Sequence, residues 1–120
     1  MEFDCGHFDW SKNSLFKYVL IEVKNPQEPH SKLIVRGMTS ADYHAESVEP
    51  ALRQIDSAGL QHNVIGGGRI RYITGTKSLT VYGYSMGYPW PNGEYKNELV
   101  ATMIKRNFPH LQVDWSNEGY

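Results

Sequence analysis

The segment that most limits how this chain can fold is Phe16-Lys17-Tyr18-Val19-Leu20-Ile21-Glu22-Val23. It is rich in aromatic and β-branched residues, which pack well on a pleated surface, so it reads as a strand. In the two-residue period of a strand, Lys17 shares a face with Val19, Ile21 and Val23. A lysine on an otherwise apolar face either points into a cleft or snorkels from the strand end.

The rest of the chain arranges itself around that strand. Residues 1–14 are polar and read as an irregular N-terminal arm ahead of one domain over residues 15–120. Asn25 to Ser31 holds two prolines and reads as a loop; Lys32 to Arg36 is a short strand stopped by Gly37. Ala45 to Ala58 carries Val48, Ala51, Leu52 and Ile55 at helical spacing, with Ser40 or Asp42 as a candidate cap and Gly59 as the stop. Pro50 is compatible with that helix if it falls in or near the first turn. Gln61 to Ile65 is a strand running into Gly66-Gly67-Gly68, and Arg69 to Thr74 with Ser78 to Ser85 form a hairpin around Gly75-Thr76-Lys77. Met86 to Gly93 is a loop, Glu94 to Asn107 a second helix with Asn92 as a possible cap, and Leu111 to Trp115 a last strand. The order β-β-α-β-β-β-α-β predicts a single α/β, or α+β-like, domain: a six-stranded mixed sheet with two helices packed on it.

A chain of 120 residues can bury a core without disulfides or a structural metal. A formal net charge of −1 supplies no bulk field for nucleic acid, so any anion site must be local. Cys5 is the single cysteine, which excludes an intramolecular disulfide and a cysteine-rich zinc site. The first residues lack the basic and apolar regions of a signal peptide, and no apolar run is of membrane-spanning length. A cytoplasmic protein with no nucleic-acid or membrane partner is therefore expected.

Several chemistries lack their residues. There is no phosphate-binding G-x-x-x-x-G-K-[ST] loop, no H-E-x-x-H helix and no G-x-S-x-G elbow. Cys5 has no arginine five or six residues on, as a cysteine phosphatase needs, and no acidic and histidine segments pair up for two metals. If the chain is an enzyme, its base or nucleophile is a histidine acting without a metal or other cofactor.

Three segments can build an anion site. Asp42-Tyr43-His44-Ala45 stands at the expected start of a helix, where free N–H groups and the helix dipole favour phosphate; the same residues also fit an incidental histidine near a cap. Gly66-Gly67-Gly68-Arg69 implies a bulge or a close backbone approach that either seats Arg69 on an oxyanion or simply bends a strand. Tyr82-Gly83-Tyr84-Ser85-Met86-Gly87-Tyr88 offers the Ser85 hydroxyl and the Gly87 N–H, or is a turn rich in Gly and Tyr.

Taken in order, six pieces resemble the protein phosphohistidine phosphatase and janus family. They are Phe16-Lys17-Tyr18-Val19-Leu20-Ile21, Ile34-Val35-Arg36-Gly37, Tyr43-His44-Ala45, Gly66-Gly67-Gly68-Arg69-Ile70, Val81-Tyr82-Gly83-Tyr84-Ser85-Met86 and the tail Val113 to Tyr120. The resemblance implies a phosphohistidine phosphatase-like domain that hydrolyses the P–N bond without metal. His44 falls on the family's catalytic histidine, as general base or nucleophile. Lys17, Arg36 and Arg69 fall on basic positions of the family pattern. The N–H groups of Tyr43, His44 and Ala45, with Ser85 and the N–H of Gly87, fall on its phosphate cradle. The implied partners are phosphohistidine-containing proteins, acted on by a monomer. The alternatives are a non-catalytic, janus-like module that binds phosphorylated residues, or a phosphatase of other phosphoramidates such as phospholysine. Gly87 stands where the family pattern has alanine, and the segments Glu46 to Pro50 and Pro89 to Tyr95 also depart from it.

Overall fold

The computed structural model describes residues 2–4, 11, 13–38 and 44–118. In chain order these form β1 (Glu2–Asp4), β2 (Ser14–Lys24), β3 (Ser31–Met38), α1 (His44–Ser57), β4 (Gln61–Ile73), β5 (Ser78–Tyr82), a 3₁₀ turn at Pro91–Gly93, α2 (Asn97–Asn107) and β6 (Gln112–Ser116). One six-stranded mixed sheet runs β1-β3-β2-β4-β5-β6. Its outer pairs, β1 with β3 and β5 with β6, are parallel, and its inner pairs are antiparallel.

Helices cover both faces of the sheet, which is why β2 reads as a nearly continuous apolar run. Phe16, Tyr18 and Leu20 turn toward α2, where they meet Val100, Met103 and Ile104. Val19, Ile21 and Val23 turn the other way, to Ala51 and Ile55 of α1. Each such large apolar side chain contributes roughly 1.5–3 kcal/mol when fully buried. A charged residue at Val19, which is 0% exposed, would face α1 with no partner and break this layer.

The six-strand count stands, but with different members from those expected. The two strands expected at 61–65 and 69–74 are one strand, β4, and the expected irregular arm contributes β1, only three residues long. The glycine run does not break β4, because Gly66, Gly67 and Gly68 pair with Leu20, Val19 and Tyr18 of β2. The register slips just before them: Leu20 faces Gly66 and Ile21 faces Val64, leaving Ile65 as the extra residue of a bulge. Glycine is required here by close approach. A Cβ on Gly66 would stand 2.3 Å from the Trp90 ring, and one on Gly68 2.6 Å from the Tyr82 carbonyl oxygen.

The helix ends follow their local signals on one side only. Gly59 takes φ +75°, donates to the Asp56 carbonyl, and lets Leu60 donate back to Ile55, closing α1 as expected of its glycine stop. Pro50, however, lies in the second turn of α1 and not in the first, so it has no N–H for the carbonyl four residues back. The packing of Ala51 and Ile55 on the sheet offsets that loss. The second helix starts at Asn97 and not at Glu94, with Lys96 at the cap position. Asn92 is not a cap; at φ 57° it sits inside the 3₁₀ turn. The strand expected through Ser85 stops at Tyr82, where Gly83 turns the chain at φ 74°. Ser40 and Asp42 lie outside the described residues. Among the described residues no helix is long and apolar enough to cross a membrane.

Candidate active site

The β2–β4 register places Lys17 directly opposite Arg69, and the β4–β5 register places Arg69 directly opposite Tyr82. Residues facing each other across strands share a face, with Cβ atoms about 5 Å apart. Strand periodicity puts this row on the side of Val19 and Ile21, that is, on the side of α1. Lys17 and Arg69 are both half-buried, and Arg69 Nε is shielded from solvent.

Helix α1 covers only one end of that face. Near its C-terminus, Asp56 Oδ1 lies 3.1 Å from His62 Nε2, and His62 faces Val23. From Asp56 back to His44 the helix rises about 18 Å, and from Val23 back to Lys17 the strand runs about 20 Å. Laid along β2, a helix of that length reaches with its first turn to about the level of the Lys17–Arg69 row. His44 and Ala45 are the first two residues of that turn, and their N–H groups belong to the helix end that lacks intrahelical acceptors. Tyr43 lies outside the described residues.

Arg36 is on the same face one two-residue step away, opposite Val19, and donates from Nη1 to its neighbour's carbonyl, Val35 O, at 2.8 Å. It stands beside the Lys17–Arg69 row and not in it.

Ser85 and Gly87 come from the loop after β5, and the start of that loop is tied to the core. Gly83 O accepts from Trp90 Nε1 at 3.1 Å and from Asn97 Nδ2 at 3.0 Å. Asn97 also donates to Ser116 O at 3.1 Å and accepts from the Tyr18 hydroxyl. Burial pushes the Tyr18 hydroxyl well above its ordinary pKa, so it stays a donor. Trp90 belongs to the α2-side core, whereas Tyr88 packs against the α1-side cluster. The loop carrying Ser85 and Gly87 therefore comes round to the side of Lys17 and Arg69. Ser85 is 0% exposed, and its Oγ accepts the Tyr88 N–H at 3.1 Å. A Cβ on Gly87 would meet Ser85 Oγ at 4.0 Å, an ordinary contact, so alanine fits there as well as glycine.

Arg71, Trp90 and Asn97 were not singled out from the sequence, and Tyr82 enters there only as part of the segment that leads to Ser85. Arg71 follows Arg69 by one strand period and lies with its guanidinium carbon 5.5 Å from the centre of the Tyr82 ring. The Arg69-Ile70-Arg71 alternation was a signal for it. Asn97 had none, because a polar residue in a helix reads as solvent-facing, and only the fold buries it at 0% exposure. A cavity of about 490 Å³ lined by Val23, Asn25, His30, Lys32 and Leu60 is at the other end of β2, away from these residues.

Residues 5–112 match the family model described as Janus/Ocnus family (Ocnus). The chain belongs to the Janus/Ocnus family. A pig protein named "14 kDa phosphohistidine phosphatase" is 36% identical over 93% of this chain and 90% of its own length. The human protein of the same name is 35% identical over the same shares. The "Sex-regulated protein janus-A" of Drosophila pseudoobscura pseudoobscura is 34% identical over 93% of this chain and 75% of its own. The family so identified has relatives named as phosphohistidine phosphatases and relatives named as sex-regulated proteins.

Proposed function

We propose that this chain is a protein phosphohistidine phosphatase that hydrolyses the P–N bond without a metal. The observation that carries this reading is the Lys17–Arg69 pair, set across two strands on the α1 side of the sheet. An ammonium and a guanidinium on facing strand positions suit the oxygens of one phosphoryl group, which charge-assisted hydrogen bonds hold strongly. Phosphoryl transfer passes through a loose transition state, so fixed charges and N–H donors around the equatorial oxygens do most of the work. The N–H groups of Tyr43, His44 and Ala45, the Ser85 hydroxyl and the Gly87 N–H complete the cradle, and Arg36 adds charge at its margin.

His44 is the base or the nucleophile. As base it takes a proton from water while the water oxygen bonds to phosphorus and the P–N bond breaks, and that proton then passes to the leaving imidazole, which restores neutral His44. As nucleophile its ring nitrogen bonds to phosphorus while the substrate P–N bond breaks and the substrate imidazole leaves, taking a proton from water; water then bonds to phosphorus, the P–N bond to His44 breaks, and phosphate is released. Both routes need the neutral imidazole, so the rate falls as His44 protonates in acid. The substrates are phosphohistidine-containing proteins, met by a cytoplasmic monomer.

The test is phosphate release from a phosphohistidine protein and from a phosphoserine control, with and without chelator. Release from phosphohistidine alone, unchanged by chelator, is expected. His44→Ala is expected to fold, to bind phosphate and to lose roughly 10²- to 10⁴-fold in single-turnover rate. Wild-type protein that binds phosphohistidine but releases no phosphate would make the chain a phospho-residue-binding module. Activity lost in chelator and restored by one divalent ion would overturn the metal-free reading.

A further inference from the structure

The α1-side face of the sheet continues beyond the Lys17–Arg69 row, past the end of the helix. Opposite Leu15 of β2 stands Arg71 of β4, and Ile73 follows Arg71 on the same face. None of the three is covered. Leu15 is 52% exposed and Ile73 is 40% exposed, against 0% for Val19 and Ile21 further along the same side. Arg71 is exposed too, but it is held in place over the Tyr82 ring.

We infer that this strip docks the stretch of substrate protein next to the phosphohistidine, and that it selects an acidic residue there followed by an apolar one. The inference rests on the phosphatase reading of Lys17 and Arg69.

Charge and spacing choose this occupant. Arg71 is one strand period from Arg69, about 7 Å, which equals two residues of an extended peptide. With phosphate at Lys17 and Arg69, a carboxylate within two residues of the phosphohistidine comes level with the Arg71 guanidinium. The cation–π contact orders that guanidinium before the ligand arrives, so little rotamer freedom is lost on pairing. Leu15 and Ile73, beside and beyond Arg71, then offer apolar area to the next side chain. Asp114 stands on the far side, opposite Thr80, and Thr80 is opposite Arg71. The negative charge at β6 therefore confines the cationic strip to β2 and β4 and repels a peptide laid across β5.

The experiment uses three probes: small-molecule phosphoramidate, a phosphohistidine peptide with Asp two residues away, and the same peptide with Lys there. Binding of both peptides is read by fluorescence anisotropy, alongside kcat/KM for all three. The wild type is expected to prefer the Asp peptide by about threefold to fivefold, the size of a partly exposed ion pair, and less in high salt. Arg71→Ala should erase the preference and Arg71→Glu should reverse it, both leaving phosphoramidate turnover unchanged. Equal binding of both peptides by wild type and Arg71→Glu, with phosphoramidate still hydrolysed, would overturn the docking strip and spare the phosphatase. An Arg71-dependent preference in binding without turnover of any probe would support the strip and sink the phosphatase reading.

Discussion

The two ends of one sheet face are built from the same strands and end up with opposite chemistry. At one end Val19, Ile21 and Val23 of β2 pack under Ala51 and Ile55 of α1. At the other, Leu15 and Lys17 of the same strand face Arg71 and Arg69, and Leu15 is 52% exposed. The opposite face shows no such change: Phe16, Tyr18 and Leu20 are all buried toward α2. Charge on a sheet face is costly under a packed helix; here Lys17 and Arg69 are half-buried and Arg71 is exposed, so each keeps some access to water. The charged end thus lies away from the stretch that Ala51 and Ile55 cover, and under the proposed function His44 and the N–H donors of the first turn of α1 serve it.

The comparison breaks most directly at Gly68, on the closed side beneath the cationic row. Gly68→Val would drive a side chain against the Tyr82 carbonyl at 2.6 Å and the Tyr18 ring at 3.0 Å. Denaturant titration should show a loss of about 3 kcal/mol, the upper end for overpacking, together with loss of the Lys17–Arg69 register. A stability within error of wild type would mean that the glycine run is not under steric demand.

At the charged end, a change should cost function and little stability. Arg69→Ala is expected to lower kcat/KM roughly a hundredfold, Lys17→Ala somewhat less, and Arg69→Lys to rescue only in part because ammonium cannot form a bidentate fork. Near-normal kinetics in folded Arg69→Ala would remove the pair from the site.

The third prediction returns to the closed side. Tyr18→Phe leaves the Asn97 amide oxygen without its donor and should cost about 1–2 kcal/mol. It should also change the alkaline limb of stability. Burial raises the folded-state pKa of Tyr18, so the stability it contributes is whole below the unfolded value of about 10 and is lost as pH rises past it. Wild type should lose stability above about pH 10 more steeply than Tyr18→Phe. Parallel curves would show that the hydroxyl titrates alike in both states.

The smallest effect is expected at the covered end of the α1 side. Asp56→Ala removes the partner of His62 on a carboxylate that is 65% exposed, so it should cost less than about 1 kcal/mol and leave phosphate release unaltered. A large change in activity would mean that the two ends are coupled through α1.

How far these features could be read in advance depended on how local their cause was. The β2 run, the Ala51, Leu52 and Ile55 part of the α1 stripe and the Gly59 stop each rest on signals within a few residues, and each appears where expected, with α1 beginning one residue early. Lys17, His44 and Arg69 could each be singled out, because a lone charge on an apolar strand, a histidine at a helix start and an arginine after a glycine run are visible along the chain. Strand β4 read as two because glycine is a poor strand former, and its steric reason, Trp90 and the Tyr82 carbonyl, comes from distant segments. Strand β1 was missed because three residues carry no periodic signal and their partner is β3, far along the chain.

Apart from β1, the glycine centre of β4 and the start of α2, the order of residues thus settled which segments extend, which coil and which side chains share a face within each segment, since periodicity and capping act over a few bonds. It could not settle that Lys17 faces Arg69, that Arg71 lies over Tyr82, or that Asn97 is buried between Tyr18, Gly83 and Ser116. Those facts depend on strand register and on where a helix ends over a sheet. Both are fixed by packing among segments remote in sequence, where a slip of one residue would turn every side chain to the other face.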